Sequence, residues 1–135
     1  MMLDIIIPIY NAHDDLIRCV DSVLARSTGD WRLLLINDGS PDSRIAPLVA
    51  QLAGSHPGIR ALTNEQNRGF IGTVNRGFGE SDADVVLLNS DTIVTSGWLD
   101  KIRRCAASDP QIATITPFSN NAEICSYPAM CGNHD

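Results

Sequence analysis

Residues 3–37 read LDIIIPIYNAHDDLIRCVDSVLARSTGDWRLLLIN, and this stretch decides the fold class. Residues 3–9 are a short β-branched run and residues 31–37 a second apolar run, each too continuous to alternate between a wet and a dry face. Between them the period changes. Leu16, Ile17, Val20, Val23 and Leu24 fall on one stripe at helical spacing, which predicts a helix over 13–25. Asn11 stands where an N-cap belongs, and Asp14 and Asp15 occupy the first turn, where carboxylates suit the helix dipole. Strand, helix, strand with both strands buried is a parallel pair joined by a right-handed crossover.

The alternation continues. Ser40 and Pro41 predict the start of a second helix, and "GIRALT" at 58–63 predicts a third strand. "GFIGTVNRGF" at 69–78 is a glycine-spaced helix and "DVVLLNSD" at 84–91 a fourth strand. Ser96 is placed to cap a helix carrying Trp98, Leu99 and Ile102, and "QIATITPF" at 111–118 reads as one more strand. After residue 119 the periodicity is lost and Asn, Pro and Gly accumulate, so 119–135 is expected to be irregular. The class is α/β: a mostly parallel sheet with helices on both faces, one domain over 3–118.

Composition narrows the function. The 135 residues hold 16 acidic and 10 basic side chains, a formal charge of -6, with no cluster of Lys or Arg, so nucleic acid is not an expected partner. No apolar run is long enough to span a bilayer, and Asp4 interrupts the N-terminal run that a signal peptide would need. A cytoplasmic location without a transmembrane segment is therefore expected, with attachment to the membrane periphery as the variant for a longer form. Cys19, Cys105, Cys125 and Cys131 lack the paired spacing of a zinc ribbon and read as reduced thiols; a site from Cys125, Cys131 and His134 lacks a fourth ligand.

The polar residues fall in a pattern. In an open parallel sheet, ligands bind beyond the carboxyl ends of the strands where strand order reverses. Strand one ends in Pro8, Tyr10 and Asn11, strand two in Asn37 and Asp38, strand three leads to Asn64, Asn67 and Arg68, and strand four ends in Asn89 and Asp91. Each has a plainer explanation: residues 38–41 as a turn, 67–69 as a loop and helix cap, Asp91 as a solvated strand end, Tyr10 as a packed aromatic with a wet hydroxyl. His13 and His56 read as surface residues. It is the shared rim that points to a site. A carboxylate there suits Mg2+ or Mn2+, which take oxygen ligands and share them with phosphates, while Asp38 can accept from a base N–H, Tyr10 can line a base pocket and Arg68 can approach a pyrophosphate near the helix at Gly69. A dinucleotide-dependent oxidoreductase predicts G-x-G-x-x-G after strand one, and a sugar nucleotidyltransferase a glycine-rich phosphate loop; "PIYNAHD" stands there instead.

Taken in order, "IIIPIYNAHDDLIRCVDSVLAR", "LLLINDGSPD", "NEQNRGFIGTVNRGF" and "DVVLLNSDTIV" resemble the N-terminal nucleotide-binding half of inverting family 2 glycosyltransferases of the GT-A fold, over roughly residues 3–118. The resemblance implies a nucleotide-diphosphate-sugar donor, a carbohydrate or glycolipid acceptor, a divalent cation (Mn2+ or Mg2+), and work in cell-wall or polysaccharide biosynthesis. It implies that Pro8, Tyr10 and Asn11 line the nucleoside pocket, that Asp38 reads the base, that Asn67, Arg68 and Gly69 belong to the donor-binding loop, and that Asp91 is the metal ligand. "NSD" at 89–91 stands where the family has D-x-D, so with Asn89 in first place the metal leans on one carboxylate. Asp100, Asp109, Glu123 and Asp135 do not sit in anything like the family's catalytic-base motif, and no base is assigned. The expectation is a donor-binding domain with 119–135 as the irregular end of a truncated chain, inactive alone and prone to form homo-oligomers through an uncovered apolar surface. The alternative is a noncatalytic nucleotide-binding or scaffold fragment that kept the fold.

Overall fold

A computed structural model of the chain describes residues 2–108. The expected strand at 111–118, the irregular segment at 119–135, and Cys125, Cys131 and His134 lie outside the described residues. The elements alternate as expected: β1 (Leu3–Ile9), α1 (His13–Arg26), β2 (Trp31–Asn37), α2 (Ile45–Ser55), β3 (Ile59–Thr63), α3 (Gly69–Gly79), β4 (Asp84–Leu87) and α4 (Trp98–Ser108). The strands form one sheet in the order β3-β2-β1-β4, all parallel, with Ile5 opposite both Leu33 and Val86. The first strand of the chain is one of the two inner strands.

Period-two alternation sorts the strands between two layers. Ile5, Ile7, Ile9, Leu33, Leu35, Val86 and Leu88 pack with Leu16, Cys19, Val20 and Val23 of α1, Ile45, Leu48 and Val49 of α2, and Trp98, Leu99 and Ile102 of α4. The intervening Ile6, Leu34 and Ile36 face the other way, with Leu62, Val85 and Leu87 beside them. There α3 lies against the sheet. Helix α1 and α2 therefore share one face, and the crossover through α3 returns on the other, which is what right-handed connections require when the strand order reverses.

Helix α3 sits close because of Gly77, whose added Cβ would lie 2.8 and 3.0 Å from Ile6 carbons and 3.2 Å from Ile36. Both neighbours are fully buried β-branched side chains with little room to turn. Gly77→Val is expected to destabilise the domain by about 2–3 kcal/mol through overpacking, read as a lowered urea midpoint, despite the better helix propensity of Val. An unchanged midpoint would mean that α3 rides further from the sheet than this contact requires. At the other side of the same layer, Asp4 is buried at the amino end of β1 and satisfied by Arg32, at 2.6 and 2.9 Å, and by the Ser81 hydroxyl.

Several local expectations are corrected. Helix α2 begins at Ile45 and not at Ser40–Pro41, because Asp42 accepts from the Arg44 amide at 2.9 Å and its own amide is drawn to the Asn11 side chain at 2.9 Å, which holds 38–44 as a turn. Asn11 does not cap α1: the N-cap is Ala12, left-handed like Asn11 (φ 58 and 55), with no side-chain cap bond. Strand β4 ends at Leu87, so residues 89–91 stand in a turn beyond it, closed by Thr92 N–H donating to Asn89 O at 3.0 Å. Helix α4 starts at Trp98, whose amide donates to the Thr95 carbonyl. Cys19 is a free, buried thiol, but Cys105 is disulfide-bonded, against the expectation of reduced thiols; helical periodicity says that a sulfur is buried, not which sulfur the fold brings to it. No helix among the described residues is long and apolar enough to cross a membrane.

Candidate functional site

Three loops meet beyond the carboxyl ends of β1, β2 and β3, and Asp38 joins two of them. Oδ1 accepts from the Arg68 amide at 2.7 Å and from Asn64 Nδ2 at 2.8 Å, and Oδ2 from the Gly69 amide and Asn67 Nδ2, both at 3.0 Å. The carboxylate thus takes up orphan amides at the start of α3, the work of an N-cap performed from another strand. Burial alone would push its pKa up, but the Arg68 amide, the Asn64 and Thr73 side chains and the Gly69 amide outweigh that and hold it below the usual carboxylate value. Asn64 extends the network to Thr73 at 3.0 Å and receives Arg76 at 2.6 Å.

The loop after β1 is fastened to the same corner. The Asn11 amide donates to Ser40 Oγ at 2.9 Å, and the Ser40 amide donates to Asn37 Oδ1 at 3.1 Å. Gly39 must be glycine on two counts: its φ is 65°, and a Cβ would lie 2.9 Å from the Asn67 backbone nitrogen.

On this frame opens a cleft of about 340 Å³ lined by Pro8, Ile9, Tyr10, Ala12, Asp15, Asp38, Phe70 and residues 89–91. It lies between the ends of β1 and β4, where the chain order of the sheet reverses. Of the residues singled out in the sequence, Pro8, Tyr10, Asp38, Asn89 and Asp91 line it. Asn67, Arg68 and Gly69 reach it through Asp38, and Asn11 through the 38–42 loop. Sequence reasoning missed Asp15 and Phe70. In the sequence Asp15 reads as a first-turn carboxylate and Phe70 falls at helical spacing with Val74 as an ordinary core position; only the structure shows Phe70 exposed at the cleft.

The cleft is acidic, with Asp15, Asp38 and Asp91 around it and only Asp15 ion-paired among the described residues, to Arg18. An anion entering it meets carboxylates unless a cation comes too. Among the described residues no cluster of three or more His, Cys, Asp or Glu is arranged to hold a metal. Asp91 and the Asn89 side-chain carbonyl are hard oxygen donors on an exposed turn, a set that fits Mg2+ or Mn2+ when a ligand's phosphates supply the remaining oxygens.

Residues 4–128 match the sequence profile of glycosyl transferase family 2. The chain belongs to that family. Relatives of this glycosyl transferase family 2 chain include the uncharacterised glycosyltransferase YibD of Escherichia coli K12, 29% identical over 74% of this chain and 31% of its own length. The succinoglycan biosynthesis protein ExoO of Rhizobium meliloti is 31% identical over 80% of this chain and 31% of its own. The chain thus spans about a third of the length of these relatives. Among solved structures, the mannosyltransferase PcManGT of Pyrobaculum calidifontis, in complex with GDP-Man and Mn2+, superimposes with a TM-score of 0.71 at 17% identity, covering 82% of this chain and 33% of that one. TarS of S. aureus in complex with UDP-GlcNAc gives 0.70 at 16% identity, covering 80% and 32%. The sheet and helices of this family 2 member are those of a GT-A glycosyltransferase.

Proposed function

We propose that residues 3–118 form the donor-binding unit of a glycosyltransferase, which takes a nucleotide-diphosphate sugar with a divalent cation and, in the whole protein, delivers the sugar to a carbohydrate or glycolipid acceptor with inversion. The observation that carries the reading is the acidic cleft at the strand-order reversal, lined by an exposed aromatic, Tyr10, and by an exposed carboxylate, Asp91, on the turn after β4. Tyr10 and Pro8 offer a flat, partly apolar seat for a base, and Asp91 with Asn89 offers oxygens to a cation on the diphosphate. When bound, the cation neutralises charge on the diphosphate leaving group. Asn11, Asn67, Arg68 and Gly69 shape the nucleotide side of the cleft. Because the Asp38 carboxylate already accepts from four protein donors, its contribution to base recognition is foremost to hold that wall in place. PcManGT holding GDP-Man with Mn2+ and TarS holding UDP-GlcNAc support the same chemistry.

Titration calorimetry with UDP, GDP and dTDP, each with and without Mn2+, tests this. One nucleotide is expected to bind in a Mn2+-dependent way, and Asp91→Ala to weaken that binding at least about tenfold, or ~1.4 kcal/mol. Equal binding with and without Mn2+, or an Asp91→Ala chain that binds as the wild type does, would remove Asp91 from the role of cation ligand.

A further inference from the structure

The turn that carries Asp91 is gripped from beneath by one face of α1. Cys19, Ser22 and Arg26 stand at i, i+3 and i+7, which places them in line on the helix. The Cys19 thiol donates to the Asn89 carbonyl at 3.6 Å. The Val94 amide donates to Ser22 Oγ at 3.1 Å, and the same hydroxyl donates to the Cys19 carbonyl at 2.7 Å. Arg26 Nη1 donates to the Val94 carbonyl at 2.7 Å. Both ends of the segment 89–94 are therefore fastened to α1, while Asp91 between them is exposed. Nothing in β4 does this work, since the strand stops at Leu87 and its last ladder bond is the Leu88 amide to the Ile6 carbonyl.

We propose that Cys19, Ser22 and Arg26 are positioning residues that set where Asp91 is presented over the cleft, and through it the affinity for the divalent cation; this rests on the reading of Asp91 as cation ligand. A lone carboxylate on a loose turn must be ordered each time a cation binds, and side-chain and backbone ordering opposes binding. Fastening the turn beforehand removes that cost. It matters more here because Asn89 stands in the first position and one carboxylate carries the charge. Cys19 is wholly buried, so water does not compete for its contact with the Asn89 carbonyl.

Two measurements on the full chain test the proposal with Ser22→Ala/Arg26→Met, using Arg26→Lys as the conservative variant. In nucleotide-free protein, the Val94 amide of the double variant is expected to exchange with solvent about tenfold faster, with the β1 amides unchanged. In a Mn2+ titration in the presence of the nucleoside diphosphate that binds, the midpoint is expected to rise about tenfold, Arg26→Lys to recover part of it, and metal-free affinity for the same nucleoside to stay as it was. A general loss of structure would instead speed the β1 amides and weaken metal-free binding as well, which would overturn the proposal. So would faster Val94 exchange with an unmoved Mn2+ midpoint, or Val94 exchange that does not change. A wild-type chain with no Mn2+-dependent binding would overturn the reading of Asp91 and the proposed consequence with it, and the Val94 exchange would then show separately whether the grip exists.

Discussion

Asp38→Ala is expected to cost the domain about 3–5 kcal/mol, seen as a lowered urea midpoint with an unchanged slope. The size follows from what is left behind. Four donors, the Arg68 and Gly69 amides and the Asn64 and Asn67 side chains, lose an ionised acceptor, and Asn64 is itself buried. Hydrogen bonds to a charged group contribute more than neutral ones, and an abandoned buried donor costs its full desolvation. Nucleotide binding is expected to fail together with stability, since the start of α3 and the 66–69 loop take their places from this carboxylate.

The same residue predicts an acid limb. Its folded pKa lies below the ordinary 3.8, so the ionised form contributes stability that is fully present above the unfolded value and lost as pH falls through the folded one. Unfolding free energy measured from pH 6 down to pH 2 is expected to fall below about pH 4 in the wild type and to fall less steeply in Asp38→Asn. Equal acid slopes in the two chains would place the acid sensitivity on other carboxylates.

Trp98→Ala is expected to cost about 3–5 kcal/mol by thermal or urea unfolding. Trp98 is wholly buried in the larger core, and its indole N–H donates to Ser27 Oγ at 2.9 Å just past the end of α1. Arg103, five residues further along α4, reaches the carbonyls of Thr28 and Asp30 at 2.7 and 2.8 Å. Truncating the ring removes the wedge that keeps α4 against α1 and leaves a cavity that rigid strands cannot close. Trp98→Phe keeps most of the volume and drops the hydrogen bond, and is expected to cost about 1–2 kcal/mol. A Trp98→Ala chain as stable as the wild type would mean that α4 does not depend on this contact.

Strands β1 and β2 were legible to the residue because both are central and buried on two faces, so every position had to be apolar and polar residues could appear only at the ends. Strand β4 was read too long for the same reason in reverse: Leu88 is buried and still bonded to β1, but residues 89–91 continue the apolar run's direction in sequence and not in space. Composition favoured a helix at Ser40–Pro41, and a tertiary contact from Asn11 to the Asp42 amide won over the local preference. At the site, types and positions were readable and bonding was not. Asp38 was recognised as a strand-end carboxylate, yet its partners lie 26 to 31 residues away and belong to a loop whose path the sequence does not print. Ser22 and Cys19 sat in plain view within the α1 stripe, and only the course of 89–94 shows why a hydroxyl and a thiol lie there.

The order of the sheet also bears on how the chain comes into being. Of the two inner strands, β1 meets β2 soon after in the chain, while its second flank is β4, with Leu3 opposite Asp84. Until β4 docks, Ile5, Ile6 and their neighbours offer an open apolar edge to whatever lies nearby. A pairing so distant in sequence closes a large loop before any contact rewards it, so the β1–β4 edge is slow to form relative to the β1–β2 pair.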